Sequence, residues 1–252
     1  MRSIAPLVLA LASAACSRHQ TQPGPNVGFA VDAPEVSCRV AGAPAIVASD
    51  VYTGDVQVLT RAEGGYDVVV LDDVTPCLRV GIGAHGEKLG TVLGECPAPP
   101  TPGRASATNG IETYLVRETV DDPGTYLALG VVTYDWPHAF AGTAREGLRR
   151  VVEHRFEVPP GGPGGGAADP ALAPFGADHF LLAWTEGDTV RAQPIAGWAE
   201  PAGPAITLSP PDLTEIGRPS VAFATPSEGL VAFAASTPTG FHILSVPLVC
   251  SR

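Results

Sequence analysis

HFLLAWTEGDTVRAQPI, residues 179–195, and GLVAFAASTPTGFHILSVPL, residues 229–248, decide the fold. Each is an apolar run, a tight reversal and a second run. In the first, Phe180, Leu181, Leu182, Ala183 and Trp184 lead into Glu186-Gly187-Asp188, and residues 189–195 return. In the second, residues 230–235 meet Thr237-Pro238-Thr239-Gly240 before residues 241–248. The runs are short, rich in β-formers and closed by Gly, Pro and Asp, which reads as strands and hairpins rather than helices. Residues 220–224 (SVAFA) add a strand ahead of the second stretch, so three antiparallel strands form a meander.

The same grammar extends backwards. Residues 56–60 (VQVLT), a turn at Glu63-Gly64-Gly65 and residues 66–71 (YDVVVL) form a hairpin, and residues 78–83 (LRVGIG) add a strand that ends at His85-Gly86. A Pro-rich break follows at 96–103 (CPAPPTPG). Residues 112–116 then pass through Asp121-Asp122-Pro123-Gly124 into residues 126–132. In that turn Pro presets φ, Gly takes the unusual angle and Asp caps the backbone. Residues 149–158 (RRVVEHRFEV) alternate like an exposed strand, with a short helical piece over 144–152 as the other reading. A flexible loop is expected over 159–168, where PPGGPGGG has no means of folding alone. The central apolar runs begin near Tyr66, Tyr126, Phe180 and Leu230, so a unit returns about every 50–60 residues. The expectation is one all-β domain over 34–252, a small β-propeller-like repeat of antiparallel meanders; an irregular β-sandwich is the alternative.

The two quoted stretches resemble the blade core of bacterial secreted β-propeller proteins, in which an apolar run ending in Trp is a middle strand and a Gly-Asp turn reverses the chain. The second copy has Phe233 in place of the Trp. The resemblance is one of shape and implies no catalytic residues. It implies that an N-terminal strand completes the last blade, and residues 35–40 (EVSCRV) are available for this. Such closure removes an exposed sheet edge.

The first residues carry an address. Arg2 precedes a short apolar run, residues 4–12 (IAPLVLALA), and then Ser13-Ala14-Ala15-Cys16. This is the layout of a signal peptide, expected over 1–15, and it is too short to span a bilayer. Ser13-Ala14-Ala15-Cys16 resembles a bacterial lipobox, which implies lipidation of Cys16, although Ser13 stands where an apolar residue is usual. Residues 16–33 then read as a tether. Cleavage after Ala12-Ser13-Ala14, giving a secreted protein, is the other reading. Setting Cys16 aside leaves Cys38, Cys77, Cys96 and Cys250, four thiols in an oxidising compartment with three possible connectivities. The favoured pairs are Cys77–Cys96, closing a local loop, and Cys38–Cys250, tying the domain's start to its last strand.

Charge and motifs narrow the function. Lys+Arg 15 against Asp+Glu 26 gives a net charge of −11, which excludes a basic nucleic-acid-binding face. With 29 glycines and 26 prolines, long helices are disfavoured. No G-x-S-x-G, phosphate-binding loop or H-E-x-x-H is present, so no cofactor or metal is expected. Asp72-Asp73 and Asp121-Asp122 are candidate carboxylate pairs, but each sits where Asp caps a turn. The Arg145, Arg149, Arg150 and Arg155 cluster reads as a solvated face. Trp184 reads as core; Trp136, His138 and Trp198, in loop-like sequence, are candidate binding residues. The expected function is a monomeric, lipid-anchored envelope protein at the outer membrane or periplasmic face. It would bind or scaffold a protein or glycan partner without catalysis. The alternative is a secreted glycan-active enzyme using paired carboxylates.

Overall fold

The computed structural model describes residues 36–51, 55–71, 75–109, 112–121, 124–134, 148–156, 167–196 and 200–252. These residues form antiparallel strands and no helix. Residues Pro34–Arg252 make one compact unit. The first sheet holds β1 (Ser37–Val40) and β2 (Ala45–Ser49) together with three strands from the other end of the chain, β16 (Ser220–Phe223), β17 (Glu228–Thr237) and β18 (Gly240–Ser251). The second is β3 (Val56–Thr60), β4 (Tyr66–Val70), β5 (Cys77–Ile82) and β6 (Lys88–Gly94). The third is β7 (Arg104–Thr108), β8 (Glu112–Asp121), β9 (Gly124–Tyr134) and β10 (Leu148–Phe156). The fourth is β11 (Ala167–Phe175), β12 (His179–Glu186) and β13 (Thr189–Ala196), with the short β14 (Glu200–Pro201) and β15 (Ile206–Thr207) both on β13. Four sheets are present among the described residues, not the two of a sandwich.

Sheet by sheet, the strands follow one another as a meander. The exception is the first sheet, whose outer strands come from the N-terminal side. There β18 pairs Cys38 with Cys250 and Val40 with Leu248, then continues along β2 as far as the Ser49–His242 pair. Pro44 and Gly42 fall at the break between the two short strands, where the missing Pro N–H and the freedom of Gly interrupt the ladder. The expected disulfides, Cys38–Cys250 and Cys77–Cys96, are both formed, with Cα separations of 4.0 and 5.1 Å.

The continuous apolar runs now have a cause. On β17, Val231, Phe233 and Ala235 join the core shared with β12, while Leu230, Ala232 and Ala234 join the core shared with β4. On β12, Leu181 and Ala183 face the first of those cores, and Phe180, Leu182 and Trp184 face a third core against Val116 of β8. A strand covered on both faces gains from apolar residues at every position, so the period-two pattern disappears. Trp184 is core, as expected. The hairpins follow from their turn residues: Glu186 pairs with Thr189 around Gly187, whose φ is +57°. Gly65, at φ +78°, has no room for a Cβ, which would sit 2.4 Å from the Ile82 carbonyl.

Several boundaries differ from the expectation. Three of the four meanders have a further strand, because β6, β7 and β11 carry too little apolar pattern to be read. The run near Tyr126 lies in β9, the third strand of its sheet, whereas Tyr66, Phe180 and Leu230 lie in second strands. The strand expected over 149–158 is present as Leu148–Phe156, paired with β9, and the alternative helical piece is not formed over 148–152. Ala167 and Ala168, placed in the flexible loop, pair with Glu186 and Thr185. Residues 157–166 of that region, the 1–15 leader and the 16–33 tether lie outside the described residues.

Candidate functional site

One strand from each of the four sheets, β3, β7, β11 and β16, borders a cavity of about 720 Å³. Its wall includes Val56, Gln57 and Val58 of β3, Arg104, Ala105 and Ser106 of β7, Ala171 and Leu172 of β11, and Ser220 and Val221 of β16. The wall mixes apolar side chains with the polar Gln57, Arg104, Ser106 and Ser220. Two hydrogen bonds fix the seams. The backbone N–H of Val58 donates to Ser220 Oγ at 2.9 Å, joining β3 to β16. Arg218 Nη1 donates to the Thr101 carbonyl at 3.0 Å, joining the approach to β16 to the approach to β7.

Arg218 is the central group. Only 7% exposed, it reaches Asp169 Oδ1 with Nη2 at 3.6 Å, and its Nε is buried with no partner among the described residues. Gln57 Oε1 is likewise buried and unpartnered. A buried donor or acceptor without a partner costs about 1–3 kcal/mol, and atoms away from the cavity such as Trp184 Nε1 and Ser245 Oγ share this state. Arg104 is exposed on the same wall. The described lining thus has two guanidinium groups and no carboxylate, in a chain whose net charge is −11.

The residues anticipated from sequence are placed elsewhere or lie outside the described part. Trp136, His138, Trp198 and Cys16 lie outside the described residues, as do Asp72, Asp73 and Asp122. Asp121 ends β8 opposite Gly124. His179 is buried, with Nδ1 2.7 Å from Asp178 Oδ1, and Arg252 joins the same carboxylate. His242 Nε2 lies 3.0 Å from Thr239 Oγ1. Among the described residues no three His, Cys, Asp or Glu side chains group as a metal site, and no helix is long and apolar enough to cross a membrane. Away from the cavity, Tyr66 donates to the Glu228 carbonyl at 2.8 Å, and burial pushes its hydroxyl above the usual tyrosine range.

Sequence reading missed Gln57, Arg104 and Arg218. Gln57 and Arg104 are lone polar residues within strands and Arg218 stands just before one, and nothing along the chain signals that they converge. No protein-family model matches the chain. No curated protein matches it either. Among solved structures, it is similar to a protein of unknown function from Dyadobacter fermentans DSM 18053, at 10% identity and a TM-score of 0.44 over 86% of this chain and 100% of that one. It is also similar to a thermostable family-43 glycoside hydrolase, at 11% identity and a TM-score of 0.35 over 82% of this chain and 90% of that one. At these scores neither likeness carries an argument about activity.

Proposed function

We propose that this chain is an exported, lipid-anchored envelope protein whose four meanders are the blades of a small β-propeller, and whose central cavity binds a ligand without transforming it. Cys16 is the anchor and residues 16–33 the tether. The ring is closed by β1 and β2 beside β18, and the first strand of each blade faces the axis. The observation that carries the reading is the cavity wall: side chains from all four sheets, with Arg104 and Arg218 and no acidic side chain among its described residues. Hydrolysis of a glycan by paired carboxyls needs two of them facing each other at roughly 5–10 Å.

The test uses the full chain. Incubated with an acidic and a neutral polysaccharide, it is expected to retain one of them and to release no new reducing ends. Ser106→Trp, which fills the cavity from an exposed wall position, is expected to abolish retention. Release of reducing ends by the unmodified chain, lost in Ser106→Trp, would replace this reading with a glycan-active enzyme. A mass spectrum of the mature N-terminus tests the anchor: an acylated Cys16 supports it, and an unmodified N-terminus at Ala15 removes it.

A further inference from the structure

Each sheet has one end strand at the cavity and one away from it, and the four far ends differ. An unpaired strand edge invites another strand, and natural chains block it with charge, Pro, bulges or very short strands. The far end of the first sheet is the two short strands β1 and β2, parted by Gly42 and Pro44. That of the third is β10, whose sequence holds Arg149, Arg150, Glu153 and Arg155. That of the fourth is β14 and β15, two residues each, with Pro201 in β14. β6 has none of these blocks along most of its length. It is seven residues long, pairs only with β5 among the described residues, and has no charge over 89–94. Its bulge lies at Leu89, near the start, and residues 90–94 then pair one for one with β5. Its single charge, Lys88, turns to another sheet, where Nζ donates to the Val47 carbonyl of β2 at 2.9 Å. Val92 and Leu93 are left 63% and 67% exposed.

We propose that β6 is a dimerisation edge: two copies of this chain pair β6 with β6, antiparallel about a two-fold axis at Val92, in place of the monomer expected from the sequence. Val92 is the midpoint of the regular stretch, so Gly90 meets Gly94, and Thr91 meets Leu93, of the other copy. Side chains alternate between the two faces of a strand. One face of the joint therefore carries two Thr91–Leu93 pairs, and the other a Val92–Val92 pair flanked by glycines, with no charge on either. The edge matches itself, and a second copy is the strand it fits. Pairing about a two-fold axis also consumes both edges, so association stops at two while the other far ends stay blocked. The joint makes one antiparallel sheet of eight strands. β6 offers seven residues where a standard interface has roughly 20–30 a side, so the dimer is weak, with a Kd above about 1 µM. The net charge of −11 on each copy opposes it, so salt strengthens it.

The test uses the full chain carrying Cys16→Ser, which removes the proposed acylation site and the odd thiol. Sedimentation from about 5 µM to about 500 µM is expected to show monomer passing to dimer and no further, with the dimer favoured as salt rises from about 20 mM to about 500 mM. Val92→Lys sets two ammonium groups opposite each other at the axis and is expected to weaken the dimer about tenfold or more, with the circular dichroism unchanged. The same change makes the chain less acidic, so an association governed by net charge would strengthen instead. Val92→Cys is expected to join two copies by a disulfide under air oxidation, whereas Leu115→Cys, exposed on β8, is not. A monomer at every concentration overturns the proposal, and so does a dimer that keeps its affinity in Val92→Lys. Assemblies larger than two overturn the two-fold pairing. Should Val92→Lys misfold, the absence of a Val92→Cys cross-link overturns the proposal by itself.

Discussion

The outer edges of two neighbouring sheets solve one problem in opposite ways. The sheet of β16–β18 is finished by strands from the far end of the chain, and Cys38 and Cys250, directly opposite each other, are both buried. The sheet of β3–β6 is finished by the next strand in sequence, and β6 is left open: Leu89, Val92 and Leu93 are exposed, and Cys77–Cys96 ties the base of β5 to the segment after β6. The first device spans 212 residues and the second 19. A strand contributed from the other terminus ties the two ends of the domain together, whereas a local strand holds only its own sheet.

The largest expected effect tests that difference. In the chain-entropy account, a cross-link across 212 residues is worth about 5 kcal/mol, and one across 19 about 3 kcal/mol. Replacing Cys38 and Cys250 together by Ser is therefore expected to lower the urea midpoint more than replacing Cys77 and Cys96. It should also loosen β1, measured by faster amide exchange across the Cys38–Cys250 ladder. Equal losses from the two double variants would mean that the N-terminal strand is held by packing alone. The Cys77–Cys96 variant is expected to leave exchange in β17 and β18 unchanged, because its cross-link closes a loop confined to β5 and β6.

That asymmetry also sets what the sequence reveals. Strands buried on both faces, such as β12 and β17, are legible because their apolar runs are unbroken between strong turns. The pairing of Ser37–Val40 with the last strand was legible from the cysteines and from the resemblance. β11 was not: AADPALAPF carries two prolines, which read as breaks. The structure accommodates Pro170 at a bulge between Ala168 and Ala171, beside Asp169 at φ +51°, and Pro174 on a strand with only one ladder partner. β7 (RASAT) and β6 (KLGTVLG) lack large apolar residues or bury none, so composition gives them no signal. The cavity was illegible for a related reason. Its polar residues sit in or just before strands, where sequence reading expects solvent, and only the meeting of four sheets brings Gln57, Arg104 and Arg218 to one wall.

A pair of leucines sharpens the same contrast. Leu230, fully buried between two sheets, is expected to cost about 3 kcal/mol as Leu230→Ala, since the removed side chain leaves a cavity in a core closed on both sides. Leu93 on the open edge is 67% exposed, and Leu93→Ala is expected to change stability by no more than about 0.5 kcal/mol. A large loss at Leu93 in urea unfolding would show that β6 is covered in solution.

A more modest effect than that of Leu230 lies at the seam between the two sheets. Tyr66 of β4 donates to the Glu228 carbonyl, and its hydroxyl accepts from the Ala224 N–H at 3.3 Å. Burial disfavours the phenolate and raises its folded pKa; the Ala224 N–H opposes this, and the charge of Glu228 adds to it. In the unfolded chain the group ionises near pH 10, so between that value and the higher folded pKa the unfolded state binds fewer protons than the native one. The contribution is complete below about pH 10 and is lost as pH rises through the folded pKa. Tyr66→Phe is expected to cost about 1 kcal/mol at neutral pH, where one hydrogen-bonding hydroxyl is removed while Ala224 and Glu228 still bond each other at 3.1 Å. Above pH 10 the variant is expected to lose stability less steeply than the parent, and its phenolate absorbance titration should lack the latest step. If both proteins lose stability in parallel and the late step persists, the seam does not depend on a neutral Tyr66, and the attachment of the second sheet to the first must come from the packing of Val68 and Val70 against Leu230 and Ala232.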